Sequence, residues 1–209
     1  ALMVSDMMTT GFHGVELAGV EFGDNVVVIG SGPVGLMAIA AAKLRGAARI
    51  IAVGSRRHCS ELAKFYGASD VVNYKEGDIY EQIMYLTGGK KVDRTVIAGG
   101  GTEQLPIAYK LTRPAGGIGD LVAADTPPRL NIDTADFCRF VAHHKLSGGL
   151  CPGGRRRAER LLGLIKHGRI DPSVMLTHKC YGLEGCKEGF ELMHKKPEDL
   201  VKPIVYMNV

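Results

Sequence analysis

Apolar residues in this chain fall into short unbroken runs separated by longer stretches with helical spacing. NVVVI at 25–29, RIIAV at 49–53 and the run at 92–98 read as strands buried on both faces. A shorter strand is predicted at 70–73 and another at 116–122. Between them, helical patterns cover 10–20, 34–44, 58–66, 79–86 and 102–111. Glycines at 67, 88–89, 99–101 and 116–117 punctuate the connections. Such alternation predicts an α/β fold with a doubly wound parallel sheet and helices on both faces.

Past residue 123 the alternation becomes irregular, interrupted by Thr126-Pro127-Pro128. A helix is expected at 134–142, a strand at 145–150, helices at 155–166 and 183–194, and a last apolar strand at 200–207. No internal repeat or low-complexity tract is present.

The first strand runs straight into Gly30-Ser31-Gly32-Pro33-Val34-Gly35, and a helix opens at Pro33. A glycine triplet with this spacing is weak alone, but strand before and helix after are the context that gives it meaning. The three glycines then provide a tight turn, close approach of backbone to a pyrophosphate, and tight packing of helix on strand. Uncapped N–H groups at the helix start would face the phosphates. The unit is therefore read as a Rossmann βαβ that binds a dinucleotide.

The second strand chooses between dinucleotides. An NAD site places Asp or Glu about 20 residues past the glycines, on the ribose 2′-hydroxyl. Here the strand ends in Gly54-Ser55-Arg56-Arg57. Gly54 leaves room for a 2′-phosphate, Ser55 can donate a hydrogen bond, and Arg56 offers a planar fork for phosphate oxygens. A carboxylate there would repel the phosphate. The plainer alternative is a solvated turn with incidental basic residues; beside the glycine motif, NADP(H) is favoured.

Composition narrows the setting. At 209 residues the chain holds one large domain or one and a half. No apolar run reaches the length of a membrane span. The start, ALMVSDMMTT, lacks the features of a signal peptide and an initiator Met, so it is expected to lie inside a longer protein. Five irregularly spaced cysteines suggest reduced thiols in a cytoplasmic protein rather than a disulfide framework. The net charge of +4 is mild. Arg155-Arg156-Arg157 opens an amphipathic helix without interleaved aromatics, which argues for a solvated or phosphate-facing helix end and against nucleic acid.

Several longer stretches resemble one family: SDMMTTGFHGVELAGVEFGDNVVVIGSGPVGLMA, AVGSRRHC, KFYGASDVVNYK, SGGLCPGG and KKPEDLVKP. They are similar to the NADP-dependent, zinc-containing secondary alcohol dehydrogenases of the medium-chain superfamily. The likeness covers nearly the whole chain and is thinnest between Thr102 and Lys145. It implies that Ser31, Gly32, Pro33 and Val34 form the pyrophosphate turn, and that Gly54, Ser55 and Arg56 hold the 2′-phosphate. It places Tyr74 beside the adenosine, Leu121, Val122 and Ala123 at the nicotinamide, and Lys196 near the phosphates. Leu150 and Cys151 would edge the substrate pocket.

Asp6 alone reads as an ordinary helix N-cap. The resemblance makes it a ligand of the catalytic zinc, whose other ligands come from a barrel-like domain ahead of this point. A catalytic zinc needs about three protein ligands and an open position. None of the seven histidines lies in a convincing ligand pattern. No catalytic metal is therefore expected in this chain by itself.

The implied organisation is 1–10 as the end of the catalytic domain and linker, 11–150 as the Rossmann NADP-binding domain, and 151–209 as a remnant that returns to the catalytic domain. The implied reaction moves hydride between NADP(H) and a small secondary alcohol or ketone, with little or no turnover by this chain alone. A homo-oligomer is expected, tetrameric in the family. Alternatives are a stand-alone NADPH-binding module and a zinc-free quinone reductase-like protein, against which Asp6 and GGLCPGG weigh. An S-adenosylmethionine methyltransferase would end its second strand in an acidic residue, unlike Gly54-Ser55-Arg56.

Overall fold

The computed structural model describes residues 1–122, 133, 135 and 142–207. A short 3₁₀ turn (Leu2–Ser5) leads into α1 (Met7–Ala18). Then follow β1 (Asn25–Ile29), α2 (Pro33–Leu44), β2 (Arg49–Gly54), α3 (Arg57–Tyr66) and β3 (Asp70–Asn73). After α4 (Ile79–Leu86) and β4 (Val92–Ile97), a 3₁₀ turn (Thr102–Gln104) opens α5 (Leu105–Leu111), which runs into β5 (Thr112–Asp120). The chain continues through β6 (Lys145–Gly148), α6 (Arg155–Lys166), β7 (Leu176–Tyr181), α7 (Gly182–Lys195) and β8 (Lys202–Tyr206).

Six strands pair in parallel in the order β3-β2-β1-β4-β5-β6. Successive strand residues point to opposite faces, so a sheet covered on both sides needs apolar residues at every position. Val26, Val28, Ile50, Ala52 and Val96 join one core with Met8, Val15, Leu36 and Ile39 of α1 and α2. Val27, Ile29, Ile51, Val53 and Ile97 join the other with Ile83, Leu105 and Tyr109 of α4 and α5. The unbroken apolar runs are thus divided residue by residue between two cores. The doubly wound parallel sheet expected from the alternation is the observed fold.

Strand β5 begins earlier than the sequence pattern indicates. Its partner register on β4 jumps from Val92↔Thr112 to Arg94↔Gly117, so residues 113–116 bulge, and Ala115 takes φ 61°. Pro114 lies in this stretch, and proline gives the ladder no N–H. The bulge accommodates it. Thr112 is held inside by its hydroxyl, which lies 2.9 Å from that of Thr95 and donates to the Ala108 carbonyl at 2.7 Å.

Asp93, near the start of β4, ties three strands together. Its carboxylate accepts the Asn25 N–H at 2.8 Å and the Arg113 guanidinium at 2.5 Å. Burial pushes its pKa up, but the bonds from Arg113 and Asn25 outweigh this and hold it below the usual carboxylate value. A depressed folded-state pKa gives stability that is present above the unfolded value, near about 3.9, and is lost as pH falls through the folded one. Asp93→Asn should therefore lower the melting temperature at pH 7 and cost progressively less below pH 4. Thermal unfolding of both proteins from pH 7 to pH 2.5 checks this; a constant gap would assign the loss to packing.

Arg157 and Tyr66 are among the groups that tie back the C-terminal segment. Arg157 of α6 donates to the Thr9 hydroxyl at 2.6 Å and to Glu16 at 3.0 Å. Tyr66 donates to the Asp171 carbonyl at 2.7 Å. Of the basic run, Arg155 pairs with Glu159 at the surface, whereas Arg157 is an internal tether. Strand β7 has no counterpart in the sequence reading, because LTHKCY is neither continuously apolar nor alternating. It pairs in parallel with β8, with α7 as the crossover and Tyr181 stacked on Tyr206 at 5.6 Å. The helix expected over 134–142 lies almost wholly outside the described residues. Among the described residues, no helix is long and apolar enough to cross a membrane.

Candidate functional site

The strand order reverses between β1 and β4, the chain's topological switch point. Ligands of open α/β sheets bind in the crevice outside the carboxyl ends of the strands at such a point. A cavity of about 960 Å³ lies there, against Ile29 of β1, Val53 and Gly54 of β2, and Gly99 and Gly100 beyond β4.

Its floor is the glycine turn. Gly30 adopts φ 101°, donates its N–H to the Val53 carbonyl at 2.9 Å, and packs its Cα side on Gly99. A Cβ on Gly35 would fall on the Gly30 carbonyl oxygen, so this glycine serves the contact of α2 with the turn. Gly32 differs from both. Its backbone is ordinary (φ −72°, ψ −176°), and a Cβ built on it meets nothing within 4 Å. Nothing in the protein requires glycine at this position. A glycine lining a cavity and needed by no protein neighbour is a cradle that a side chain would fill. Gly32 is also the N-cap residue of α2, which has no side-chain cap and no acidic residue in its first turn. Its N-terminal dipole end is thus left for an anion.

The second wall is the end of β2. The Ser55 hydroxyl donates to the Tyr74 hydroxyl at 2.9 Å, joining two candidate residues across β2 and β3. Arg56 lines the cavity, and its Nη1 donates to the Leu200 carbonyl. One bond leaves most of its five N–H donors free. Gly54 has a different reason from the one the sequence offered: a Cβ there would strike the Ser31 hydroxyl, so Ser31 itself fills that space. Beneath this wall, burial raises the Cys59 thiol pKa, the Arg56 charge opposes the rise and the Glu198 carboxylate adds to it. Cys59 is fully buried in the core.

Gly30, Ser31, Gly32, Pro33, Gly54, Ser55, Arg56, Tyr74 and Lys196 all line this one cavity. Val34 and Gly35 lie behind the turn in the first part of α2. Leu121 and Val122 follow β5 and do not line it. Leu121 packs over Gly14 of α1, and Val122 packs on the core of the opposite sheet face. Ala123 lies outside the described residues. Residues from the link between α7 and β8, namely Glu198, Leu200 and Val201, complete the wall together with Met193 of α7. Of these, sequence reasoning had found only their neighbour Lys196. Gly99 and Gly100 were read as punctuation, although their place after the strand next to β1 is a usable signal.

A second grouping forms elsewhere. The Thr10 hydroxyl lies 3.2 Å from the Asp6 carboxylate and 3.5 Å from the Cys151 sulfur. Two residues far apart in sequence, assigned by resemblance to the metal and the substrate edge, are thereby neighbours of one side chain. Asp6 occupies the N-cap position of α1 but makes no side-chain cap bond. Leu150 is 93 % exposed. No group of three His, Cys, Asp or Glu side chains that could hold a metal occurs among the described residues. Asp6 with its described neighbours does not fit a catalytic zinc by itself.

Comparison with known proteins agrees with this geometry. The family model described as zinc-binding dehydrogenase matches residues 33–140, just over half of the chain. The NADP-dependent isopropanol dehydrogenase of Thermoanaerobacter brockii is 51% identical over 207 residues, covering 99% of this chain and 59% of that protein. That of Entamoeba histolytica is 48% identical over 205 residues, covering 98% and 56%. Among solved structures, the alcohol dehydrogenase TADH from Thermus sp. ATN1 superposes with a TM-score of 0.82 at 26% identity, covering 99% of this chain and 57% of that one. The chain thus spans less than two thirds of the length of these relatives. With the switch-point cavity, the glycine turn and the family match in agreement, this chain belongs to the zinc-binding dehydrogenase family.

Proposed function

We propose that this chain is the NADP(H)-binding portion of an alcohol dehydrogenase acting on small secondary alcohols and ketones, with little or no turnover alone. The observation that carries the reading is the convergence of Gly54, Ser55 and Arg56 on the same cavity as the Gly30–Gly35 turn. No carboxylate stands among residues 54–57. The names of the isopropanol dehydrogenase relatives support the choice of cofactor and alcohol.

In this reading the backbone of Ser31, Gly32 and Pro33 carries the pyrophosphate at the start of α2. Ser55, Arg56 and Tyr74 hold the adenosine ribose and its 2′-phosphate, and Lys196 adds a cation near the phosphates. Bound NADP(H) supplies or accepts the hydride. The protein fixes the ring's distance and angle to the substrate carbon. Residues 11–150 form the cofactor domain, and 151–209 return toward a catalytic domain. Cys151, beside Thr10 and Asp6, and the adjoining Leu150 mark the substrate side.

Titration of the purified chain with NADPH and NADH, followed by assay with 2-propanol and added zinc, tests the proposal. NADPH-selective binding without turnover is expected. Turnover would overturn the inactivity, and equal or absent binding would overturn the cofactor assignment.

The chain is also proposed to self-associate. Tyr181 on β7 and Leu183 and Phe190 on α7 expose large apolar surface, the last two at 77 %. Burying such side chains is worth about 1.5–3 kcal/mol each. Sedimentation at micromolar concentration should find a dimer or larger species; a monomer throughout would remove this proposal.

A further inference from the structure

The segment 196–201 passes over the end of β2 on its way from α7 to β8. Two bonds hold it there. Leu200 accepts from the Arg56 guanidinium through its carbonyl, and a carboxylate oxygen of Glu198 accepts the Arg57 N–H at 3.4 Å. Arg57 is the first residue of α3, so this N–H is one of those a helix leaves without an internal partner. No side chain of the N-cap residue caps α3, and its first turn holds no acidic residue. Glu198 acts as the anion at this helix end, and it lines the cavity with Ser55 and Arg56.

We propose that Glu198 is a specificity-determining residue: an internal anion that competes with a 2′-phosphate for the α3 N-terminus beside Arg56, and so narrows the preference for NADP(H) over NAD(H). This rests on the reading that the adenosine ribose lies at Gly54–Arg56. A ribose carrying only a 2′-hydroxyl leaves Glu198 in place. A 2′-phosphate brings about two negative charges beside the carboxylate and takes over the helix end it caps. Glu198 is exposed, so its side chain can turn outward while the Leu200 bond keeps the segment seated.

The adenosine-end probes 2′,5′-ADP and 5′-AMP isolate this effect. Their affinities would be measured by calorimetry on the wild-type chain, on Glu198→Gln and on Glu159→Gln. Glutamine can still accept the Arg57 N–H, so the first substitution removes charge and keeps the hydrogen bond. The second removes the same charge from the exposed face of α6. Glu198→Gln should bind 2′,5′-ADP about three- to tenfold more tightly, with 5′-AMP within about twofold. Glu159→Gln should change neither, and added salt should shrink the gain. An unchanged ratio, an equal gain for both probes, or weaker 2′,5′-ADP binding would overturn the role of Glu198. The wild-type preference for 2′,5′-ADP over 5′-AMP tests the underlying ribose placement separately. No binding of either probe to any of the three proteins would overturn both.

Discussion

Replacing Gly32 by valine is expected to weaken NADPH and NADH binding alike by about 100-fold or more, with the fold intact. The backbone at Gly32 is allowed for any L-residue, and a Cβ there touches no protein atom. The added side chain therefore enters the open cavity, where the proposed function puts the pyrophosphate. Both dinucleotides share that group, so both should be lost together. Gly35→Ala provides the contrast. Its Cβ would fall on the Gly30 carbonyl, an overpacking that costs about 1–3 kcal/mol of stability. Circular dichroism melts beside fluorescence titrations separate the two. A Gly32→Val protein that melts like wild type and still binds NADPH would show that no phosphate approaches this turn.

Arg56→Ala is expected to weaken NADPH binding by about 10- to 100-fold, the loss of one or two charge-assisted hydrogen bonds, and NADH binding by no more than about twofold. The comparison controls for structural damage, because Arg56 also holds the Leu200 carbonyl. Release of the 196–201 segment would affect both cofactors, whereas loss of the phosphate partner affects only one. Arg56→Lys should fall between, since a single ammonium keeps the charge and loses the fork. Equal losses for NADPH and NADH in the alanine variant would assign Arg56 to holding the segment and would remove the case for NADP selectivity.

Much of the candidate site was legible before the structure because its parts are local. A strand, a glycine turn and a helix follow one another over 25–44, and hydrophobic period and glycine spacing report these short-range facts directly. The same holds for Gly54-Ser55-Arg56 at the end of β2 and for Tyr74 after β3, which lie beside the turn once the strands are parallel. Unbroken apolar runs required a sheet covered on both faces, and the two cores divide those runs as expected. Where a local rule was overridden, a specific contact overrode it. Pro114 sits in a strand because residues 113–116 bulge, and Gly54 is glycine because Ser31 fills its side-chain space.

The sequence by itself determined the fold class and the family, and it located the glycine turn and the strand end proposed to bind the cofactor. Only the tertiary structure decided which distant residues share the site. Arg56 meets Leu200 across 144 positions, Arg57 meets Glu198 across 141, and Thr10, bonded to Asp6, meets Cys151 across 141. It also paired β7 with β8 and packed Leu121 on Gly14. The reason is physical. Periodicity records which face of an element is buried, because burial acts on each residue where it stands. The partner of a polar group is fixed only when loops have closed and elements have docked, and no spacing along the chain records that meeting.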